Sequence, residues 1–357
     1  MEASVRKLEI ISFIEKDKWN RIVKSFNQYD VYYLNEYVSA FRYTNDGTPL
    51  LIYYCGENMR LCYAVQQSDV AECTKLSGLL KRGMYYDWST PYGYGGPLTD
   101  NFDKKEISDF FSLLNDYCKS NYIVAQFIRF HPLLQNQKIF EGFCDIRKLK
   151  NTVYIDTSGR DNIFTNMDSK NRNMVNKAQK NGIEIVIDDS KNAKLAFVEM
   201  YIRTMRRNNA SEYYYFSQMF FDDMFSKLAD YLTLFCAMFE EKMICSAIIM
   251  NCNHSLHYHL SASEREYMHL APNNLLLYTA ACWGAENGYT RFHLGGGVGI
   301  EDGLLSFKKT FNKKGLIDFY IGRNVFCEEI FRKLIYIRTA TDLDFNPNNN
   351  YLIQYRA

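Results

Sequence analysis

Three apolar runs, Tyr231-Leu-Thr-Leu-Phe-Cys-Ala-Met-Phe239, Met243-Ile-Cys-Ser-Ala-Ile-Ile-Met-Asn251 and His254-Ser-Leu-His-Tyr-His-Leu-Ser261, follow one another with only Glu240-Glu-Lys242 and Cys252-Asn253 between them. Runs this short, rich in aromatic and aliphatic residues and broken by turn-length spacers, predict adjacent antiparallel strands. A helical pattern over 273–287 and a further strand, Tyr289–Leu294, come next. A strand meander followed by a crossover helix and another strand predicts a sheet with helices packed on it.

Upstream the same order of elements recurs. Leu50–Cys55 and Met59–Gln66 turn about Gly56-Glu-Asn58 and predict a hairpin; 104–119 reads as a helix and 122–130 as a strand ending at His131-Pro132. A strand is expected at 5–13 and a helix over 18–26 with Asp17 as its cap. In the second half Thr152–Ile155 reads as a strand, 161–181 as one helix stopped by Gly182, Ile183–Ile187 as a strand and 191–207 as a helix. The repeated order suggests two copies of one α/β (α+β) fold, each a mixed, mostly antiparallel sheet flanked by helices. The expected division is an N-terminal domain 1–150, a C-terminal domain 151–330 and a tail 331–357, and 357 residues suit two domains.

Composition narrows the function classes. Lys and Arg number 42 against 41 Asp and Glu, so the whole chain has no field for nucleic acid or membrane, and stable DNA binding is not expected. No stretch approaches the ~18 apolar residues of a membrane span, and the N-terminal run at 10–14 is too short for a signal peptide. The ten cysteines show no C-x-x-C and no zinc-ribbon spacing, and most lie in apolar runs. That usage fits buried thiols in a reducing, cytoplasmic compartment. Aromatic residues reach 16%, and the main expectation for them is a ring-packed core, with some lining a groove.

Five segments could carry chemistry. Ser89-Thr-Pro-Tyr-Gly-Tyr94-Gly-Gly-Pro-Leu-Thr-Asp100 reads as an irregular loop, either a binding lip or a rigid turn. The helix around Arg172, with Lys170, Lys177 and Lys180, has no acid between 169 and 183 and could meet phosphate or simply face solvent. Arg206-Arg207 runs into Tyr213-Tyr-Tyr215-Phe216, where guanidinium and rings could take a carboxylate, phosphate or base, or else end a helix and enter the core. His257 and His259 should share one strand face with Tyr258 on the other, but no third ligand accompanies them and no metal is expected. Gly295-Gly-Gly-Val-Gly299 leads into Phe307-Lys308-Lys309, and is neither a P-loop nor a dinucleotide fingerprint. Without a nucleophile elbow, catalytic-cysteine signature or zincin motif, the chemistry left is orientation and electrostatic stabilisation of a transferring group.

Taken in order, Tyr94-Gly-Gly-Pro-Leu-Thr-Asp100, Arg172…Lys177-Ala-Gln-Lys180-Asn-Gly182, Leu256-His-Tyr-His-Leu-Ser261, Asn274-Leu-Leu-Leu-Tyr278 and Leu294-Gly-Gly-Gly…Leu305-Ser-Phe307-Lys308-Lys309-Thr-Phe311 resemble the Fem-type aminoacyltransferases of peptidoglycan bridge formation and their acetyltransferase-superfamily relatives. The resemblance spans roughly residues 5–325. It implies two tandem GNAT-like domains and transfer of an aminoacyl group from aminoacyl-tRNA to an amine of a peptidoglycan precursor, with no cofactor. It also implies that Phe307 and Lys308 lie at the reaction site, and that Tyr258 and Asp100 contact substrate. Arg207 and Tyr215 match an arginine and a tyrosine of the family, and Tyr94, Arg172 and Lys309 complete the expected substrate contacts. One alternative is an acyl-CoA-dependent N-acetyltransferase acting on an amino sugar or nucleotide-sugar in surface polysaccharide synthesis. Another is a catalytically silent binding module. The segment 262–272, where acetyl-CoA pyrophosphate would sit, lacks the glycines that expose backbone N–H groups.

Overall fold

The computed structural model describes residues 6–44, 46–300 and 302–357. The strands are β1 Lys7–Ser12, β2 Thr48–Cys55, β3 Arg60–Asp69, β4 Tyr86–Ser89, β5 Leu98–Thr99, β6 Ile123–Arg129, β7 Asp145–Asp156, β8 Glu184–Ile187, β9 Leu232–Phe239, β10 Lys242–Cys252, β11 Ser255–Ser263, β12 Arg291–Gly295 and β13 Leu316–Val325. The helices are α1 Lys16–Lys24, α2 Asn35–Ala40, α3 Lys104–Ser120, α4 Arg160–Asn166, α5 Ser169–Lys180, α6 Lys191–Arg207, α7 Gln218–Lys227, α8 Pro272–Glu286, α9 Gly303–Lys309 and α10 Glu328–Thr341. Among the described residues no helix is long and apolar enough to cross a membrane.

The chain forms two compact units, Met1–Leu149 with Phe319–Ala357, and Lys150–Asp318. The two repeat one plan, as the element order predicted. In the first, the antiparallel run β1-β2-β3-β4 is followed by α3 and then by β6, which lies parallel to β4. In the second, β8-β9-β10-β11 is followed by α8 and then by β12, parallel to β11. Parallel neighbours need a crossover, and in each unit the helix supplies it.

The first boundary falls between Leu149 and Lys150, beside the expected cut at 150, whereas the second lies between Asp318 and Phe319 rather than at 330. Each sheet is completed by a strand that follows the other unit's last element. β7 comes after β6 in the chain but pairs through Val153–Asp156 with β12, whereas β13 comes after β12 but pairs through Ile321–Val325 with β6. The expected tail is therefore part of the first unit. Phe331, Leu334, Ile353 and Tyr355 bury against Val70, Leu76 and Ala125. Arg356 Nε donates to Asp87 Oδ2 at 2.6 Å, and Arg338 Nη2 to the Ala357 carbonyl at 2.7 Å.

Two local expectations also fail. The helix predicted over 161–181 breaks into α4 and α5, because Asp168 caps the second by accepting from the Lys170 N–H at 2.8 Å. Asp17 lies within the first turn of α1, and Glu15 occupies the N-cap position without a side-chain capping hydrogen bond. Gly182 does end α5. It sits at φ +78°, and the Gly182 and Ile183 N–H groups return to Gln179 and Ala178, a Schellman closure.

The core of the second unit gathers Val153, Ile155, Val175, Phe235, Ala247, Leu256, Leu276, Phe292, Leu305 and Phe311. Helix α8 is apolar nearly all round, which suits its burial. The abundant rings of the first unit are mostly core, with Phe110, Phe111, Phe140, Tyr63 and Trp88 in one cluster. The β9–β10 hairpin turns through Glu240 at φ +47° and Glu241 at φ +64°. A side chain in this left-handed region costs about 1 kcal/mol, and asparagine then glycine is the preferred pair for such a turn. Glu240→Asn/Glu241→Gly is expected to stabilise the second unit by ~1 kcal/mol, read as a higher urea midpoint.

Candidate functional site

The site is built where the two parallel strands of the second unit stop pairing. Only Ser255–His257 of β11 face Arg291–His293 of β12. Beyond them β12 ends at Gly295, with φ +74°, while β11 runs on to Ser263 paired to β10. β11 also carries an extra residue there. Ile249 pairs with Tyr258 and Ile248 with Leu260, which leaves His259 as a bulge. Bulges re-aim side chains and end pairing, and they collect beside active sites. The bulge also interrupts the alternation expected to put His257 and His259 on one face.

The glycine loop after β12 is gripped from two sides. Lys308, on the buried face of α9, donates from Nζ to the Gly296 carbonyl at 2.7 Å and lies 5.7 Å from the Tyr258 ring centroid. Lys150 Nζ donates to the Gly297 carbonyl at 2.6 Å and to that of Val298 at 3.3 Å. Asp302 caps α9, accepting from the Gly299 N–H at 2.7 Å and the Leu305 N–H at 2.8 Å. Those two donors hold its carboxyl below the usual carboxylate range.

Lys308 is only 6% exposed, and burial pushes its pKa down from the ordinary lysine value to about 8. The like charge of Lys150 adds to the fall, and Asp302 opposes it. The phenol of Tyr258 is driven the other way by burial, so it stays neutral. Turnover that requires the Lys308 charge is therefore expected to hold below pH 8 and to decline as pH rises through about 8. A pH profile of kcat that stays flat to pH 10 would remove the charge from the mechanism.

The other predicted residues fall in several places. Phe307 is half-buried and packs edge-on against Phe311 at 5.2 Å. Lys309 is exposed. Arg207 is tied to the end of β11, donating to the Ser263 carbonyl at 2.7 Å. Tyr215 stands 37% exposed next to Phe216, which stacks on Phe220 at 4.3 Å. Arg172 does not project freely. Its guanidinium donates to the carbonyls of Met167 at 2.6 Å and Phe164 at 3.2 Å, closing the α4–α5 break.

Tyr94 and Asp100 belong to the first unit. The loop that carries them is fastened rather than loose. Tyr33 Oη and Asn136 Nδ2 donate to the Gly95 carbonyl at 3.0 and 2.9 Å, and Tyr37 Oη donates to that of Tyr92 at 2.9 Å. Tyr94 packs edge-on against Tyr32 and Phe319. Asp100 is held by the Arg60 side chain at 2.6 Å.

Histidine at 259 is kept neutral. Burial and the neighbouring His257 push its pKa down to about 3. His293 shares a 2.9 Å hydrogen bond with Thr152 Oγ1. Sequence reasoning missed Lys150 and Asp302. Asp302 had a signal, an acidic residue three before the first buried leucine of a short helix, whereas Lys150 had none.

The start of α8 tests whether CoA pyrophosphate could bind there. Pro272 has no N–H, and the N–H groups of Asn274 and Leu275 both turn back to the Ala271 carbonyl. The Asn273 side chain accepts from the Cys245 thiol at 2.8 Å. One backbone N–H, that of Asn273, remains of the set a helix start offers an anion. These residues do not fit a pyrophosphate cradle.

Residues 166–308 match a family model described as an acetyltransferase (GNAT) domain. Among solved structures, FemX aligns over 92% of this chain and 99% of its own, at 16% identity and a TM-score of 0.64. A conserved protein of unknown function from Bacteroides thetaiotaomicron aligns over 89% and 99%, at 11% identity and 0.56. L-PGS from Bacillus licheniformis aligns over 88% and 93%, at 14% identity and 0.54. These likenesses show the fold. Among curated proteins nothing matches the chain.

Proposed function

We propose that the chain, whose two units are GNAT-like, is a Fem-type acyltransferase that transfers an aminoacyl group from aminoacyl-tRNA to an amine of a peptidoglycan precursor. The carrying observation is the buried ammonium of Lys308, set on the Gly296 carbonyl where the β11–β12 ladder ends. An amide-forming transfer from an ester is accelerated by a fixed hydrogen-bond donor or positive charge beside the carbonyl oxygen, because that oxygen gains a full negative charge in the tetrahedral intermediate.

In this reading the acceptor nitrogen attacks the ester carbonyl carbon. Lys308 faces the developing oxyanion, in surroundings that burial makes drier than bulk water. The C–O bond to the ribose then breaks, and the proton lost by the amine ends on the departing ribose hydroxyl. The Tyr258 ring, 5.7 Å from the ammonium, supplies an apolar wall, and Phe307 packs on Phe311 of the same unit. Arg207 at the end of β11, the exposed Tyr215 and Lys309 on α9 are the groups assigned here to the donor's phosphates and bases. Tyr94, Asp100 and Arg172 serve substrate binding through the loops that they order.

The description of the matching family model favours a second reading, an acetyl-CoA-dependent N-acetylation of an amino sugar. The closed start of α8 argues against it. Incubation of one acceptor pool, nucleotide-linked muropeptide precursor with amino sugars, with charged tRNA and separately with acetyl-CoA separates the two by mass spectrometry. An aminoacyl residue mass on the precursor, dependent on tRNA, supports the first reading; an addition of acetyl alone overturns it.

A further inference from the structure

Lys150 is a residue that neither the motif order nor the family resemblance singles out. It lies on β7, 147 positions before Gly297 in sequence, yet its ammonium holds the carbonyls of Gly297 and Val298. Its chain passes close beside Gly296. A Cβ at 296 would lie 2.9 Å from the Asn151 carbonyl oxygen and 3.5 Å from Lys150 Cε. Three consecutive carbonyls of one loop, 296, 297 and 298, are thus held by two ammonium groups from two different elements.

We infer that Lys150 is a positioning residue for Lys308, fixing from the β7 side the glycine loop whose Gly296 carbonyl seats the Lys308 ammonium. The inference rests on the proposed role of Lys308 but concerns a different residue. The geometry has a direct physical consequence. A glycine loop has little backbone preference of its own, so the place of its carbonyls is set by whatever bonds them. Releasing two of the three leaves the third, and the ammonium on it, free to shift. Displacements of about 1 Å at a reacting group cost on the order of 10²-fold in rate.

The second consequence is electrostatic. Three groups face the Lys308 ammonium from the elements around it. These are the Lys150 ammonium on β7, the Asp302 carboxylate at the start of α9 and the neutral phenol ring of Tyr258 on β11. Lys150 is the one that disfavours the charged form of Lys308 besides burial itself. Removing its charge moves the Lys308 titration to higher pH.

The test uses the full chain with 13C-labelled lysine. The Lys308 Cε resonance is assigned by its loss in Lys308→Met. Its titration midpoint is followed by NMR in the parent protein, Lys150→Met, Lys150→Gln and Lys150→Arg. The midpoint is expected near 8 in the parent and in Lys150→Arg, and clearly higher in Lys150→Met and Lys150→Gln. Acyl transfer is measured beside it. Lys150→Met should lose ~10- to 100-fold in kcat with little change in donor KM. Lys150→Gln, which keeps an N–H donor for the carbonyls, should retain more activity than Lys150→Met, and the alkaline limb should move up in both.

An unmoved Lys308 midpoint in folded Lys150→Met and Lys150→Gln, or kcat equal to the parent in both, overturns the inference. Absence of transfer by the parent with any donor overturns the functional reading instead. In that case the NMR midpoints still decide whether Lys150 governs Lys308. Lys150→Arg and Lys150→Gln keep the test open if the methionine variant does not fold.

Discussion

Lys308→Met should yield a folded protein that transfers its acyl group on the order of 10²–10³-fold more slowly, the usual loss when one donor to an oxyanion is removed. Methionine follows the unbranched stem of lysine, one atom short of its Nζ, and suits the apolar surroundings of α9, so packing around Leu305 and Phe311 is retained. The change does strand the Gly296 carbonyl. A buried acceptor left without a donor costs about 1–3 kcal/mol, which a protein of ordinary stability can absorb. Lys308→Arg is the informative companion. It keeps a permanent charge, but its planar fork does not fit a seat built for a point ammonium. It should fall between the two and lose the decline through pH 8, because guanidinium does not titrate there. The measurements are single-turnover transfer under saturating donor and near-UV circular dichroism. Full transfer by a folded Lys308→Met would end the assignment.

Much of the fold could be read locally because its elements announce themselves by period and punctuation. The β9–β10–β11 meander and the α8 crossover came from short apolar runs and turn residues, and their limits shifted by one or two positions. Strand partnership could not be read that way. β7 and β13 carry ordinary strand patterns, and nothing in either run tells which sheet it will join. That choice depends on contacts across more than a hundred residues, such as Arg291↔Asp156. The same limit governs the site. Lys308 is singled out as a candidate by the ordered set of motifs around it. Lys150 sits among Arg147, Lys148 and Leu149 like any solvated lysine, and its hold on the Gly297 and Val298 carbonyls arises only because β7 lies beside β12. Arg172 shows the same limit: a cationic helix free of acids suits phosphate or solvent equally, and only the fold reveals that its guanidinium is engaged by the carbonyls of the α4–α5 break.

Gly297→Ala should be the second severe lesion, with transfer lowered on the order of 10²-fold while the fold persists. A Cβ built at 297 meets the Asp302 carboxylate, with its Oδ2 only 2.6 Å away. Asp302 cannot retreat without loss, since it bonds the N–H groups of both Gly299 and Leu305. Either the carboxylate leaves and α9 loses its cap, or the loop moves and its carbonyls leave the two lysines. Both outcomes displace Lys308 relative to the end of β12. The two can be told apart. Asp302→Gly removes the obstacle, so Gly297→Ala/Asp302→Gly should be no worse than Asp302→Gly alone if the clash is the whole cause. If the double variant is instead worse by the full factor that Gly297→Ala imposes by itself, the methyl acts on something other than Asp302. Gly299, whose Cβ would stay 3.9 Å from the same carboxylate, is the internal control. Gly299→Ala should cost less than ~10-fold, because its methyl meets only ordinary van der Waals distance. A loss at 299 equal to that at 297 would mean that flexibility of the whole loop, not its hold on the ammonium, is what transfer requires.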